Sequence, residues 1–289
     1  MKSLAICALI QNEGHFLAEW IEFHRLVGVS KFILYDDCST DDTLDVLRQR
    51  ARGDIIFHSY SGSWDCERYD GPHNNLGCHK SNQMHAFNHF SQNHSDVAEW
   101  CAFIDPDEFL YHTEFDSIPS FLGRFPGVPA VVANWMIFGS NGHQDRPAGL
   151  TTEAYTRRGE AGEPDPYGRH VKPIVRMASG PRWGPNGSHC PVYDSPGVLP
   201  VDHNGNPNPW SMRPEAEDFG LLVNHYYHRS YKEAAAKLVR GYHNIPAGYP
   251  GKDRLDAHDR NEVEDRRILR FLPKLQKGLG CTSTQTPTT

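Results

Sequence analysis

The sequence predicts an α/β protein whose mainly parallel sheet is covered by helices. Two observations carry this. Over the first 110 residues, apolar runs of strand length alternate with segments whose apolar residues recur at helical spacing. Two of those runs end directly in clusters of acids, and the carboxyl ends of strands are where open α/β sheets bind ligands.

Taken in order, Leu4 to Ile10 is an apolar run and predicts a first buried strand. Gly14 to Val27 carries Phe16, Trp20, Phe23 and Val27 at helical spacing, with Gly28 as a C-terminal stop. Lys31 to Tyr35 predicts a second strand. Ser39 with Asp42 three residues on reads as an N-cap opening a helix through Leu44 and Leu47. Gly53 precedes a third strand, Asp54 to His58; residues 78–94 are expected to be helical; Trp100 to Ile104 is another buried strand ending at Asp105. From about residue 139 to 220 the chain is dense in Gly, Pro, Asn and aromatic residues, a texture that builds binding surfaces. Short strands are expected at Ala130–Met136 and Lys172–Met177, and helices at Lys232–Arg240 and Glu262–Leu272. No internal repeat is visible. Residues 1–275 are expected to form one domain, and 276–289 a flexible polar tail.

The 289 residues are 38% hydrophobic, enough for one sizeable core, and the net charge of -7 argues against a nucleic-acid partner. No run of about 18 apolar residues exists to cross a membrane. The first apolar run ends in Gln11-Asn12-Glu13 without a small-residue cleavage site, so it reads as a strand rather than a signal peptide. A cytoplasmic location is the expectation. The seven cysteines (Cys7, Cys38, Cys66, Cys78, Cys101, Cys190, Cys281) are scattered without a CxxC pair, which fits ordinary thiols better than a disulfide framework or a zinc ribbon.

Three constellations carry chemistry. In Phe103-Ile104-Asp105-Pro106-Asp107-Glu108-Phe109 an apolar strand runs into three acids. Asp105 and Asp107 are hard oxygen donors, suited to Mn²⁺ or Mg²⁺ that also touches phosphate; the bland alternative is a solvated acidic turn. In Tyr35-Asp36-Asp37-Cys38-Ser39-Thr40 the acids again follow a strand, where a carboxylate can accept hydrogen bonds from a base or ribose. In Asn224-His225-Tyr226-Tyr227-His228-Arg229 the histidine follows the apolar run Leu221–Val223 and could add a ligand to Mn²⁺. Arg229, Lys237 and Arg240 could neutralise a diphosphate, although Lys237 and Arg240 could equally form the wet face of an alanine-rich helix. Lys172 opens an apolar strand and could reach a phosphate or serve as an edge-strand charge. Of Trp135, Trp183 and Trp210, one is expected to meet a sugar ring. There is no GxGxxG after the first strand and no GxxxxGK[ST], which argues against a dinucleotide enzyme and a P-loop NTPase.

The run Asn12-Glu13, Glu19 to His24, Gly28 and Tyr35 to Asp41 resembles the N-terminal signature of glycosyltransferase family 92 and its bacterial family-2-like relatives. The resemblance continues through Phe103–Phe109, Trp135–His143, Lys172–Val175, Asn224–Tyr226 with Arg229-Ser230, and Lys237 with Arg240-Gly241. It implies a GT-A fold and an inverting, metal-dependent transferase that moves a sugar, galactose among eukaryotic relatives, from a UDP-sugar donor to a saccharide acceptor. By the resemblance Asp105 and Asp107 match the DxD motif, and the position of His225 favours a third metal ligand; Asn12, Glu13, Asp36 and Asp37, from their place at adjacent strand ends, and Lys172, Arg229, Lys237 and Arg240, from their charge, are the expected contacts of the nucleotide-sugar. Pro106 departs from the pattern, and so does the segment 144–169, which leaves the catalytic base open. Asp145 is the first candidate because it follows the Phe138–His143 segment; Glu108, Glu163 and Asp165 are rivals. A nucleotidyltransferase and a non-catalytic sugar-binding module remain as alternatives. The Gln11–Gly14 turn, which is not basic, argues against the first. The paired acids with His225 argue against the second.

Overall fold

The computed structural model describes residues 3–59, 79–161, 167–184, 187–194, 197–215, 217–240 and 256–280. Strand β1 (Leu4–Ile10) is buried at every residue and pairs in parallel with β2 (Lys31–Asp36) and with β4 (Trp100–Phe103). Its side chains alternate: Leu4, Ile6, Ala8 and Ile10 join one core cluster, while Ala5, Cys7 and Leu9 join another. Both faces are covered, so the run is apolar throughout rather than every second residue. On one face lies α1 (Gly14–Leu26), packed on α2 (Thr43–Arg50); on the other lies α3 (His79–Asn93), whose Phe87 and Phe90 meet Phe103.

The remaining strands are β3 (Ile55–Ser59), β5 (Glu108–His112), β6 (Ala130–Ile137), β8 (Val171–Arg176) and β9 (Leu221–His225), with β7 (Arg157–Arg158) outside the main sheet. The sheet order is β3-β2-β1-β4-β8-β6-β9-β5. The pairs β3–β2, β2–β1, β1–β4 and β6–β9 are parallel, while β4–β8, β8–β6 and β9–β5 are antiparallel. These directions bring the carboxyl ends of β1, β2, β3, β4, β6 and β9 to one edge of the sheet, together with the amino ends of β5 and β8. Short helices α4 (Ile118–Leu122) and α5 (Thr151–Ala154) follow β5 and β6, and α6 (Tyr231–Arg240) follows β9.

Two expectations need correction. Ser39 does not cap α2, which begins at Thr43; Ser39 Oγ instead accepts the Asn12 N–H at 2.9 Å, and Asp41 accepts the Thr43 N–H at 3.0 Å. The loop's polar groups are used to hold the β1–α1 turn against β2. At Gly14 a Cβ would lie 1.9 Å from the Asp42 carboxylate and 3.0 Å from the Thr43 nitrogen, so a larger residue would have to push the exposed Asp42 side chain aside. The helix expected at Glu262–Leu272 is also displaced. Val263–Glu264 forms β10 by pairing with β7, Arg267–Phe271 is a 3₁₀ turn, and α7 runs Leu272–Leu279. Pro273 explains the shift: proline fits the first turn of a helix and not its interior. Helix α7 continues past residue 275 to a left-handed Gly280, and residues 281–289 lie outside the described residues. Among the described residues Cys7, Cys38, Cys101 and Cys190 are free thiols, and no helix is long and apolar enough to cross a membrane. Cys66, Cys78 and Cys281 fall outside the described residues.

Helix α1 is fastened to the site end of the sheet through its interior. Trp20, fully buried, donates from Nε1 to the Glu108 carbonyl at 2.7 Å. His24, also fully buried, has Nδ1 2.8 Å from the Trp20 carbonyl, and its Nε2 accepts the Leu110 N–H at 3.1 Å. An Nε2 that accepts requires a neutral ring. Burial accordingly holds the His24 pKa down at about 3. The unfolded chain protonates near pH 6.5 and the folded one does not, so stability is full above that pH and is lost as pH falls towards 3. Between pH 6.5 and 5 this histidine alone should remove about 2 kcal/mol. His24→Gln, neutral throughout, should have a flatter stability profile over that interval in urea melts; an unchanged slope would acquit His24.

Candidate active site

The sheet directions assemble the acidic motif. Strand β4 ends at Phe103, the chain turns through Asp105-Pro106-Asp107, and β5 returns beside β9 with Glu108 opposite His225. The Tyr226 N–H closes this turn on the Asp107 carbonyl at 2.9 Å. The β5–β9 register is thus what carries His225 to the acids: its Nε2 lies 3.4 Å from Asp107 Oδ1. Strand β8, running the other way, delivers Lys172 to the same place.

Charges here are dense and paired. Lys172, 1% exposed, lies 2.8 Å from Asp105 Oδ2 and 3.3 Å from Glu108 Oε2, and Gln83 of α3 donates to Asp105 Oδ1 at 2.6 Å. Lys237 of α6 reaches Asp107 Oδ2 at 2.8 Å and the Tyr227 carbonyl at 2.7 Å. Burial pushes the Asp107 pKa up, but Lys237 and His225 override it and hold the carboxyl well below the usual range. Glu108 goes the other way: fully buried, it is pushed well above the carboxylate range despite Lys172. Its Oε2 accepts the Asp105 N–H at 2.8 Å, so it braces the turn from inside.

Asp105, Asp107 and His225 suit a divalent cation by donor chemistry: two hard carboxylates and an imidazole whose Nδ1 is buried without a hydrogen-bond partner. Their ligand atoms do not all come within 4.8 Å of one another, because Asp105 turns to Lys172 and Gln83 while Asp107 turns to Lys237. A cation would compete with the lysines for these oxygens.

The second cluster flanks the first. Arg229, buried at 3% exposure, donates to Glu13 Oε2 at 3.1 Å and stacks 3.5 Å over the Phe16 ring. Its φ of 55° is strained for a long side chain, and such strain gathers at functional sites. Asn12, at φ 54°, accepts the Thr40 N–H at 2.7 Å. Asp36 and Asp37 are both buried: Asp36 accepts the Ser39 N–H at 3.2 Å, and Asp37 accepts from Asn82 at 2.9 Å. These residues line adjacent ends of β1 and β2, and most of their bonds hold that loop.

The other candidates are spread out. Asp145 is exposed and ion-paired with Lys232 at the start of α6. It adjoins Arg146, which lines a cleft with His15, Phe16, Pro147 and Tyr155. Glu163, Asp165, Gly241 and the Arg240 side chain fall outside the described residues. Trp183 is core against Phe103, Trp210 is 72% exposed, and Trp135 packs beside His225 at 4.4 Å and Lys172 at 5.6 Å. Sequence reading did not single out Gln83 or Asn82. Both sit in a helix of ordinary polar composition, and only the packing of α3 on β1 brings them to the acids.

The sequence profile described as Glycosyltransferase family 92 matches residues 2–177. A glycosyltransferase family 92 protein of Oryza sativa subsp. japonica is 24% identical over 261 residues, 89% of this chain and 39% of its own length. One of Ricinus communis is 23% identical over 270 residues, covering 89% and 40%. This chain therefore spans about two-fifths of the length of these relatives. Among solved structures, the Mycobacterium tuberculosis glucosyl-3-phosphoglycerate synthase, solved in complex with Mn²⁺, UDP-glucose and phosphoglyceric acid, is 13% identical with a TM-score of 0.37, covering 98% of this chain and 82% of that one. That overlay is too loose to carry residues across. The profile covers more than half of the chain, which belongs to glycosyltransferase family 92.

Proposed function

We propose that the chain is a metal-dependent, inverting glycosyltransferase of GT-A type that moves a sugar, galactose first among the candidates, from a UDP-sugar to a saccharide hydroxyl. The observation that carries this reading is the convergence of Asp105, Asp107 and His225 with Lys172, Lys237 and Arg229 at one edge of the sheet. Mn²⁺ or Mg²⁺ held by the first three would supply positive charge to a departing diphosphate. Lys172, Lys237 and Arg229 hold further positive charge in a largely buried setting, where it counts for more than in water. Asn12, Glu13, Asp36 and Asp37 line the uridine end. The acceptor enters by the cleft that Arg146 lines, and Asp145, the exposed residue before Arg146 in the chain, takes the hydroxyl proton as attack proceeds from the face opposite the diphosphate. Glu108 is better suited to bracing the turn than to exchanging protons with an acceptor, because it is fully buried.

The test is release of UDP from a panel of UDP-sugars with and without Mn²⁺. Turnover with one donor, lost on chelation, is expected; a protein that binds sugars but releases no UDP from any donor would end the reading. At the nucleotide end, Asp36→Ala should raise the donor dissociation constant about tenfold, the worth of one charged hydrogen bond. Because Asp36 also accepts from Ser39, melting temperature is followed in parallel. A fall in melting temperature with unchanged affinity would make Asp36 a loop brace only.

A further inference from the structure

We propose a second metal site, for Zn²⁺ or a similar transition-metal ion, formed by His58, His89 and His94 on the side of the sheet covered by α3. Each of these residues offers a ring nitrogen, and the three nitrogens lie within 4.8 Å of one another. His58 Nε2 and His94 Nε2 are 2.9 Å apart. Ligand nitrogens around tetrahedral zinc, with bonds near 2.0–2.1 Å, stand about 3.3 Å apart, so small ring rotations open the pair to a cation. The third histidine is held by a neighbour: His89 Nδ1 is 2.8 Å from the hydroxyl of Tyr35, a fully buried residue whose ring stacks on His58 at 4.7 Å. A hydrogen bond to one ring nitrogen is how a histidine is held to bind a metal through the other. Imidazole donors without a thiolate suit zinc, copper or nickel rather than magnesium or calcium.

The electrostatics agree with the geometry. Burial, with His94 and His89 alongside, pushes the His58 pKa down to about 4, and burial lowers that of His94 although Asp96 raises it. Neutral imidazole is the form that binds a metal. The site is also distinct from the acidic turn, which α3 meets at Gln83, six residues before His89. His58 pairs in register with Tyr35, and both lie on the α3 side, whereas Asp36, the next residue of β2, points to the opposite face. β3 is the edge strand of the sheet; α3 supplies His89, and His94 follows its last residue, with its N–H on the Phe90 carbonyl. A bound ion would therefore tie β3 to the helix that packs on the neighbouring strands.

The experiment measures Zn²⁺ and Co²⁺ binding to the full chain carrying Asp105→Asn and Asp107→Asn, which removes the carboxylate site from the count. One equivalent of Zn²⁺ should bind with micromolar or tighter affinity, and Co²⁺ should give a visible tetrahedral band that Zn²⁺ displaces. Adding His58→Ala or His94→Ala should weaken Zn²⁺ binding at least tenfold and abolish the band. His94→Gln, closer in size, serves if the alanine variants unfold. Absence of stoichiometric uptake by the parent chain overturns the proposal, and so does undiminished affinity in folded His58 or His94 variants. Sugar transfer is not read in this assay, so its failure leaves the proposed activity standing.

Discussion

Asp107→Asn should lower Mn²⁺-dependent UDP release by about 10³-fold, equivalent to about 4 kcal/mol of transition-state stabilisation, with the fold intact. Asn keeps the shape of the side chain and removes the charge. That charge serves two partners in the structure, Lys237 at 2.8 Å and His225 at 3.4 Å. Without it, an oxygen ligand is weakened and Lys237 loses its anion, but Lys237 keeps its bond to the Tyr227 carbonyl. The melting temperature should therefore fall by less than on loss of Lys172, because Lys237 keeps an acceptor, while the rate collapses. UDP affinity measured with and without Mn²⁺ separates the two functions of the site. In wild type the metal should tighten UDP binding, and in the variant that difference should disappear. A rate within threefold of wild type would remove Asp107 from the metal site.

Much of this site was legible in the sequence because its residues sit where strands end. Apolar runs that give way to Gln11-Asn12-Glu13, Asp36, Asp105 and Asn224-His225 mark one edge of a sheet. The directions of the strands then brought those four ends together. What remained illegible depends on pairing between distant segments. Nothing local indicates that Glu108 starts a strand opposite His225, 117 positions away by number, or that Ser39 would bond Asn12 rather than cap a helix. The α2 start followed propensity rules, and a tertiary contact overrode them. The displaced C-terminal helix is a different case. Its signal was present, since a proline after Phe271-Leu272 favours a helix beginning there over one ending there.

Lys172→Met should be the most destabilising single change in the site, by about 3–5 kcal/mol, the usual result of stripping one partner from a buried ion pair. For a chain of this size that is a fall in melting temperature on the order of 10 °C. Lys172 is 1% exposed and stands between the carboxylates of Asp105 and Glu108. Burial works against its charge, yet the two acids hold its pKa above the ordinary lysine value. Methionine fills similar volume beside Trp135 but leaves the Asp105 carboxylate without its cation. If that electrostatic account is right, the damage is repaired by removing an anion. Asp105→Asn alone should also cost stability, because burial works against the Asp105 charge but Lys172 holds that carboxyl below its ordinary pKa. Combined with Lys172→Met it should recover about 1–3 kcal/mol, the coupling expected of residues in direct contact. A double variant no more stable than Lys172→Met would mean that lysine acts there through packing, and the charge balance around Asp105 would need another explanation.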